Sequence, residues 1–390
     1  MNLRVLMEIF IVSLRLGLTS FGGPVAHLGY FRHEYVERRK WLSEKNYADL
    51  VALCQFLPGP ASSQVGIGIG MSRGGIAGGF VSFLGFTMPS VLILIAAAVG
   101  FQQQGWTDTG IIDGLKIVAV AVVAHAVLGM GKNLAPDKER ATIAASAFIL
   151  LLVLPSTWMQ VIVILIGAAA GFLLYRHESV EQAESLPIRL SRTVSIISLS
   201  LFAVLLAGLP VLRALVDHVY IQILDGFYRA GALVFGGGHV VLPLLEREVV
   251  PNGLVSEEAF LAGYGAAQAV PGPLFTFASY LGMAAEGIPG AVIATAAIFL
   301  PAFLLLIGAL PFWLKLREYA PARAALYGVN AAVVGILLTA LYAPIFTTAV
   351  ETPVDLAFAA LLFVLLVYWK KPAWMIVILG IAGGLLFGLL

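Results

Sequence analysis

The chain has 390 residues, 60% of them hydrophobic and only 12% charged, with a mean hydropathy of +0.96. A soluble protein of this size needs a more charged surface to cover its core, and a net charge of +1 offers no basic face for nucleic acid. The single cysteine, Cys54, excludes an intrachain disulfide and a cysteine-rich metal site, and it reads as a small apolar helix residue.

The first stretch, residues 2–18, is apolar but interrupted by Arg4, Glu8 and Arg15. No small-residue cleavage site follows it, so it reads as part of the mature protein and not as a signal peptide. A turn comes next at Gly22-Gly23-Pro24, then a basic loop with Arg32, Arg38, Arg39, Lys40 and Lys45. Segment 47–71 is interrupted at Pro58-Gly59-Pro60, where a continuous helix cannot pass. Apolar runs follow at 91–101, 117–130, 141–154 and 161–175. Each is the core of a helix able to cross a bilayer, which takes about 20 residues. A polar linker (176–192) leads to another apolar span at 194–216. The chain then breaks again at Gly236-Gly237-Gly238 and at Pro271-Gly272-Pro273, and closes with runs at 291–310, 331–341, 356–369 and 375–390. The expected class is an all-α polytopic membrane protein.

Internal repetition organises these elements. Phe21-Gly22-Gly23 recurs as Phe235-Gly236-Gly237, Ser43-Glu44 as Ser256-Glu257, and Gln55 with Pro58-Gly59-Pro60 as Gln268 with Pro271-Gly272-Pro273. Gly70-Met71 recurs as Gly282-Met283 and Pro89 as Pro301. The offset falls only from 214 residues at Phe21 to 212 at Pro89. Gly114 answers Gly328, and Trp158-Met159 answers Trp374-Met375. The expected domains are a first repeat over 1–175, a linker with one extra transmembrane helix over 176–218, and a second repeat over 219–390. An unpaired span between two repeats that each cross an even number of times inverts the second copy.

The loop charges agree with inversion, because cytoplasmic loops carry the Lys and Arg excess. The basic loop after the first Phe-Gly-Gly has a counterpart holding only Arg247, beside Glu246, Glu248, Glu257 and Glu258. Residues 102–110 lack Lys and Arg, whereas their counterpart carries Lys315, Arg317 and Arg323. Lys132, Lys138 and Arg140 have no basic counterpart between 342 and 353, and neutral 155–157 is answered by Lys370 and Lys371. With the basic loop inside, segment 47–71 must enter and leave on one side, and so must 3–18. The alternative is that both span, with five charges left outside.

Broken helices at membrane depth occur only inside protein or beside a cavity, and matched breaks point to a site between repeats. A helix starting after Pro-Gly-Pro offers free N–H groups and the positive end of its dipole to an anion. Candidate substrate-binding residues in the first half are Gly22, Gly23, Pro24, His27, Gln55, Pro58, Gly59, Pro60, Ser62, Ser63 and Lys116. Those of the second half are Gly236, Gly237, Gly238, His239, Gln268, Pro271, Gly272, Pro273, Thr276 and Asn330. The first half should give more donors, since Ser62 and Ser63 face only Thr276. Ordinary kinks between packed helices are the plainer reading of any one break. Lys116 reads either as a counter-charge or as a snorkelling side chain. The two histidines read as anion donors or turn caps, His125 as a proton relay or a carbonyl donor, and Asp49, Asp113 and Asp225 as proton carriers. No Walker loop, His-Glu-x-x-His motif or dinucleotide fingerprint is present, so no cofactor, metal or catalytic residue is expected.

The segment Phe21-Gly22-Gly23-Pro24-Val25-Ala26-His27, the stretch ending Trp41-Leu42-Ser43, and Gln55-Phe56-Leu57-Pro58-Gly59-Pro60 resemble the first block of chromate transporters. Phe235 to His239, followed by Val240-Val241-Leu242-Pro243-Leu244-Leu245, resembles the second block of the long two-domain form. The resemblance implies a secondary transporter in a bacterial cytoplasmic membrane that exports chromate, a tetrahedral dianion, and gives resistance to it. Its partners would be the oxyanion, the lipid bilayer and a coupling proton, with a homodimer compatible. Uptake of sulfate or a related oxyanion, a passive anion channel, and a membrane enzyme or assembly factor are the alternatives.

Overall fold

A computed structural model describes residues 3–21, 23–103, 110–154, 159–175, 188, 190–235, 238–313 and 319–387. Trp158, the linker residues 176–187, Lys315 and Arg317 lie outside the described residues. The helices are α1 (Leu3–Thr19), α2 (Gly23–Phe31, widening into a π-helix at Arg32–Arg38), α3 (Glu44–Phe56), α4 (Ala61–Gln103), α5 (Ile111–Leu134), α6 (Lys138–Val153), α7 (Met159–Tyr175) and α8 (Arg192–Leu215). They continue with α9 (Val219–Leu233), α10 (Val241–Val249), α11 (Glu257–Ala267), α12 (Phe277–Ala309), α13 (Ala320–Ala340), α14 (Pro353–Val367) and α15 (Ala373–Phe387). Among the described residues five helical segments are long and apolar enough to cross a membrane: Ala61–Phe101, Ile111–Leu134, Arg192–Leu215, Leu274–Phe312 and Ala320–Ala349. The described residues group into two compact units that cut across the repeats.

The first unit comprises Met1–Ile95, Val180–Gly238 and Pro271–Tyr319. Here α4 is not one rod. Gly74 (φ −132°, ψ 19°) and Gly75 (φ 61°, ψ −159°) fold it into two limbs, and the angles at Gly75 are ones that only glycine takes at low cost. Gly70 lies against Gly78, and Ser82 Oγ donates to the Gly66 carbonyl at 2.9 Å. Equal steps on either side of the turn therefore meet, and the limbs run antiparallel. The break at Pro58-Gly59-Pro60 makes a second hairpin: Leu50 of α3 lies over Gly68 of the first α4 limb, each nine residues from Gly59. Segment 47–71 thus enters and leaves on one side.

The stretch before it behaves alike. Ile9 lies over Gly78, Ser13 Oγ is 3.0 Å from Ser82 Oγ, and Gly17 faces the Phe86 carbonyl, so α1 runs parallel to the second α4 limb. The chain then turns and descends. His27 and Phe31 pack on Phe86, Tyr35 Oη is 3.3 Å from Ser13 Oγ, and Trp41 lies under the Arg73 guanidinium. Gly75 to Phe86 is about 16 Å of helix at 1.5 Å per residue, roughly half of a hydrocarbon core of about 30 Å. At the base, Arg39 and Arg73 share Glu8, and Arg38 and Arg39 share Glu34.

The second repeat contributes the same parts to this unit. Glu286 (φ −140°, ψ 27°) and Gly287 (φ 63°, ψ −153°) reproduce the Gly74-Gly75 turn, with Gly282 against Gly290. Gly231 of α9 meets the Ile298 carbonyl of α12 as Gly17 meets that of Phe86. The unpaired helix α8 is tied to α12 by Ser195 Oγ donating to the Ile307 carbonyl at 2.8 Å, and to α9 by Arg213 with Asp225 at 3.3 Å.

The second unit comprises Ala96–Ser179, His239–Val270 and Ala320–Leu390. Its helices are exchanged between repeats. First-repeat α5 packs on second-repeat α11, α14 and α15, while second-repeat α13 packs on first-repeat α6 and α7. The contacts run backbone to backbone through small residues: Gly110 and Gly114 against Gly384 and Gly380, and Gly328 against Gly167 and Gly171. These glycines make Gly167 and Gly171 the equivalents of Gly380 and Gly384, a register of 213 that differs from the Trp-Met match in the sequence. The protein is an all-α polytopic membrane protein of two inverted repeats with re-entrant helices, joined through one extra helix.

Candidate substrate site

All four helix breaks meet inside the first unit, and they do so reciprocally. The Gly59 N–H of the first Pro-Gly-Pro donates to the Val234 carbonyl after α9 at 2.7 Å. The Gly272 N–H of the second donates to the Ser20 carbonyl after α1 at 2.8 Å. Each Pro-Gly-Pro is thus fastened to the end of the other repeat's first helix. Both bonds depend on glycine backbone, with φ of +115° at Gly59 and +99° at Gly272. Ser90 of the second α4 limb holds the Pro271 carbonyl through its hydroxyl. Ala302, its second-repeat equivalent, lies beside Gly59, while Gly238 lies beside Pro24 and Leu274.

Around this junction the first repeat supplies buried polar side chains. His27 Nδ1 is 3.4 Å from Ser62 Oγ, and Gln64 Nε2 donates to the Pro58 carbonyl at 3.0 Å. His27 Nε2, Ser20 Oγ, Ser63 Oγ, Gln64 Oε1 and Thr87 Oγ1 are buried with no hydrogen-bond partner among the described residues. Leaving such a group unsatisfied costs about 1–3 kcal/mol, so four of them within six residues of a first-repeat break, at Ser20, His27, Ser63 and Gln64, demand an explanation. The second repeat is closed by comparison. Thr276 Oγ1 donates back to the Pro273 carbonyl and Ser279 Oγ to the Thr276 carbonyl, both at 2.7 Å. Its chain also re-enters through a short 3₁₀ turn, Leu274–Thr276, where the first repeat starts an α-helix at Ala61. Hydroxyls, an imidazole and the helix start form a neutral group of buried polar atoms, a chemistry suited to an oxyanion bound by hydrogen bonds.

Gly23, Pro24, His27, Pro58, Gly59, Pro60, Ser62, Ser63, Gly238, Pro271, Gly272, Pro273 and Thr276 all belong to this unit. Gly22, Gly236 and Gly237 lie outside the described residues. Gln55 is exposed on α3. Lys116, His239, Gln268 and Asn330 belong to the other unit. There Lys116 is paired with Asp113 at 3.1 Å near the start of α5, His239 Nδ1 is 2.7 Å from Tyr264 Oη, and Gln268 caps α11 with its Nε2 3.5 Å from the Tyr264 carbonyl. Asn330 is half-buried on α13. The sequence reading passed over Gln64, Ser20, Thr87 and Ser90. A polar residue one turn after a break, as Gln64 is, was the available signal.

Interlocked repeats that meet at broken helices define the architecture of a transporter-like membrane protein. The family model described as chromate transporter matches residues 7–172 and 221–385, and the chain belongs to that family. It is 28% identical to a chromate transport protein of Pseudomonas aeruginosa over 97% of this chain and 92% of that one. It is 27% identical to an uncharacterized transporter of Methanocaldococcus jannaschii (97% and 94%) and 26% identical to a chromate transport protein of Cupriavidus metallidurans (98% and 92%). No solved structure matches the chain.

Proposed function

We propose that this protein is a secondary active transporter that exports chromate across the cytoplasmic membrane of a bacterium and so confers chromate resistance. The supporting observation is the set of unpartnered buried polar atoms, the Ser20 and Ser63 hydroxyls and His27 Nε2 among them, beside the interlocked helix breaks. The family and its chromate-transporting relatives supply the name of the anion. Residues 1–175 and 219–390 act as the two repeats, and 176–218 as the connector that inverts the second. His27, Ser62, Ser63 and the N–H groups at Ala61 and Ser62 hold the dianion, with Gln64 and Gly59 setting the break's shape. The reciprocal Gly59–Val234 and Gly272–Ser20 bonds make a movement of one Pro-Gly-Pro a movement of the other repeat's first helix. Alternating access follows if that pair shifts as a body. Export of a dianion is driven by the interior-negative potential at about 2.3 kcal/mol per charge per 100 mV, with a proton as the coupling ion.

The test is flux of radiolabelled chromate in proteoliposomes of the purified protein, with the proton gradient and potential imposed in each direction. Saturable efflux from the basic-loop side that follows the gradient is expected. Flux that never saturates would establish a channel, and sulfate carried in preference to chromate would make the protein a sulfate transporter. Absence of any flux would remove transport altogether.

A further inference from the structure

The two repeats differ sharply at one pair of equivalent positions. In the first, Phe31 and Tyr35 are buried on α2 and its π extension, and Arg32 between them projects outward. Arg32 reaches Glu44, one residue past the Ser43 that caps α3, through Nε at 3.1 Å and Nη2 at 2.5 Å. In the second, Leu245 and Val249 are buried at the same steps of α10, and the residue after Leu245 is Glu246. Ser256 caps α11 as Ser43 caps α3, each accepting from the N–H three residues on at 3.2 Å, and the next residue is Glu257. Where the first repeat has an arginine–carboxylate ion pair, the equivalent positions of the second therefore hold two carboxylates, Glu246 and Glu257.

Like charge on a neighbouring carboxylate disfavours ionisation, and a proton bound to one of the two relieves the repulsion. Thr348, after α13, donates its hydroxyl to Glu257 Oε1, which fixes that carboxylate as an acceptor. The charged groups acting on Glu246 are Glu257 from α11 and Arg247 from its own helix. Burial first, then the Glu257 charge, push the Glu246 carboxyl up to about 7 against the weaker pull of Arg247. By the inversion of loop charge, this pair lies on the outer face, and the Arg32–Glu44 pair on the cytoplasmic face.

We infer that Glu246 and Glu257 form a proton-binding site on the outer face of the second repeat and that this is where the coupling proton is taken up. The role in coupling rests on the reading of the chain as a secondary transporter; the proton site does not. Protonation removes a like-charge repulsion between α10 and α11, the two limbs whose first-repeat equivalents are held together by a permanent ion pair. The outer mouth is then tightened when the proton is bound and loosened when it leaves, whereas the inner one carries no such control.

The experiment is infrared difference spectroscopy of the purified protein in lipid, titrated from pH 5 to 9, on the wild type, Glu246→Gln and Glu246→Arg. The arginine variant rebuilds the first repeat's ion pair, which keeps the local fold testable if glutamine fails. A protonated-carboxyl band that titrates near neutrality in the wild type and is lost in both variants is expected. A wild type with no carboxyl titrating between pH 6 and 8, or a band that survives Glu246→Gln, would overturn the site. A second readout is stability. A raised carboxyl pKa makes stability fall as pH rises through about 7, so the wild-type Tm should drop between pH 6 and 8, and the glutamine variant's should not. For coupling, chromate flux by Glu246→Gln should lose its dependence on an imposed pH gradient while retaining its dependence on potential. Unchanged pH coupling would leave a proton site that is not the coupling site and would overturn that half. Wild type without flux would refute the transport reading and leave the titration result standing.

Discussion

Replacing Gly272 by alanine should damage the reciprocal fastening of the breaks through two separable costs. The first is backbone: φ of +99° suits only glycine, and holding alanine there costs about 1–3 kcal/mol. The second is steric. The new Cβ would be driven into Ser90 Oγ, the hydroxyl that donates to the Pro271 carbonyl. Ser90 must swing away, and the lost hydrogen bond adds about 0.5–1.5 kcal/mol. Ser90→Ala alone loses only that bond. In the double variant the bond is lost once, not twice, so the pair should be less destabilised than the sum by about 0.5–1.5 kcal/mol. Gly59→Ala is the internal control. Its φ is +115° and the nearest atom to a new Cβ is the side-chain Gln64 Nε2 at 3.3 Å, so it should carry the backbone cost and only a small displacement of the Gln64–Pro58 hydrogen bond. Reversible denaturant unfolding in mixed micelles measures all four variants. Additivity of the Gly272 and Ser90 changes within about 0.3–0.5 kcal/mol, or a Gly59→Ala cost above that of Gly272→Ala, would refute the reasoning.

Gly75→Ala and Gly287→Ala should each cost about 1–3 kcal/mol and by similar amounts, because the two turns share one conformation and a Cβ at either meets open space; thermal unfolding that separates them widely would break the equivalence of the hairpins. Asp225→Asn should destabilise by about 3 kcal/mol. It strips the counter-ion from Arg213 and Arg229, which meet the fully buried carboxylate at 3.3 and 2.7 Å. Protease sensitivity of α8 should rise with it, and an unchanged Tm would show that the ion pair does not hold α8 to α9.

Much of this fold was legible because inverted repeats leave two independent marks. Repeated Phe-Gly-Gly and Pro-Gly-Pro motifs mark the breaks, and Lys and Arg mark the loops. The limb pairing of Leu50 with Gly68 then supplied what parity alone left open. The turns at Gly75 and Gly287 were illegible, since glycine is common in membrane helices. Nor could any pattern along the chain show that α5 packs on the other repeat's α14 and α15, or that Gly59 bonds to Val234. Those contacts join residues far apart in sequence. The candidate site divides the same way. Ser62 and Ser63 follow from their place after a break. Gln55 looked symmetric with Gln268 but is exposed, and Lys116 is neutralised by Asp113. Ser20 and Thr87 are recognised only by their buried hydroxyls without partners.

The central claim is that the first repeat's break holds the anion by hydrogen bonds from neutral donors. Equilibrium binding of radiolabelled chromate to the purified protein, wild type against Ser62→Ala with Ser63→Ala, tests it most directly. A hydrogen bond to a charged group is worth about 1.5–3 kcal/mol, so losing even one should weaken binding by roughly 10-fold or more in a protein of unchanged Tm. Saturable wild-type binding that the double variant loses by that factor is the result expected; equal affinity in the two proteins would contradict the claim.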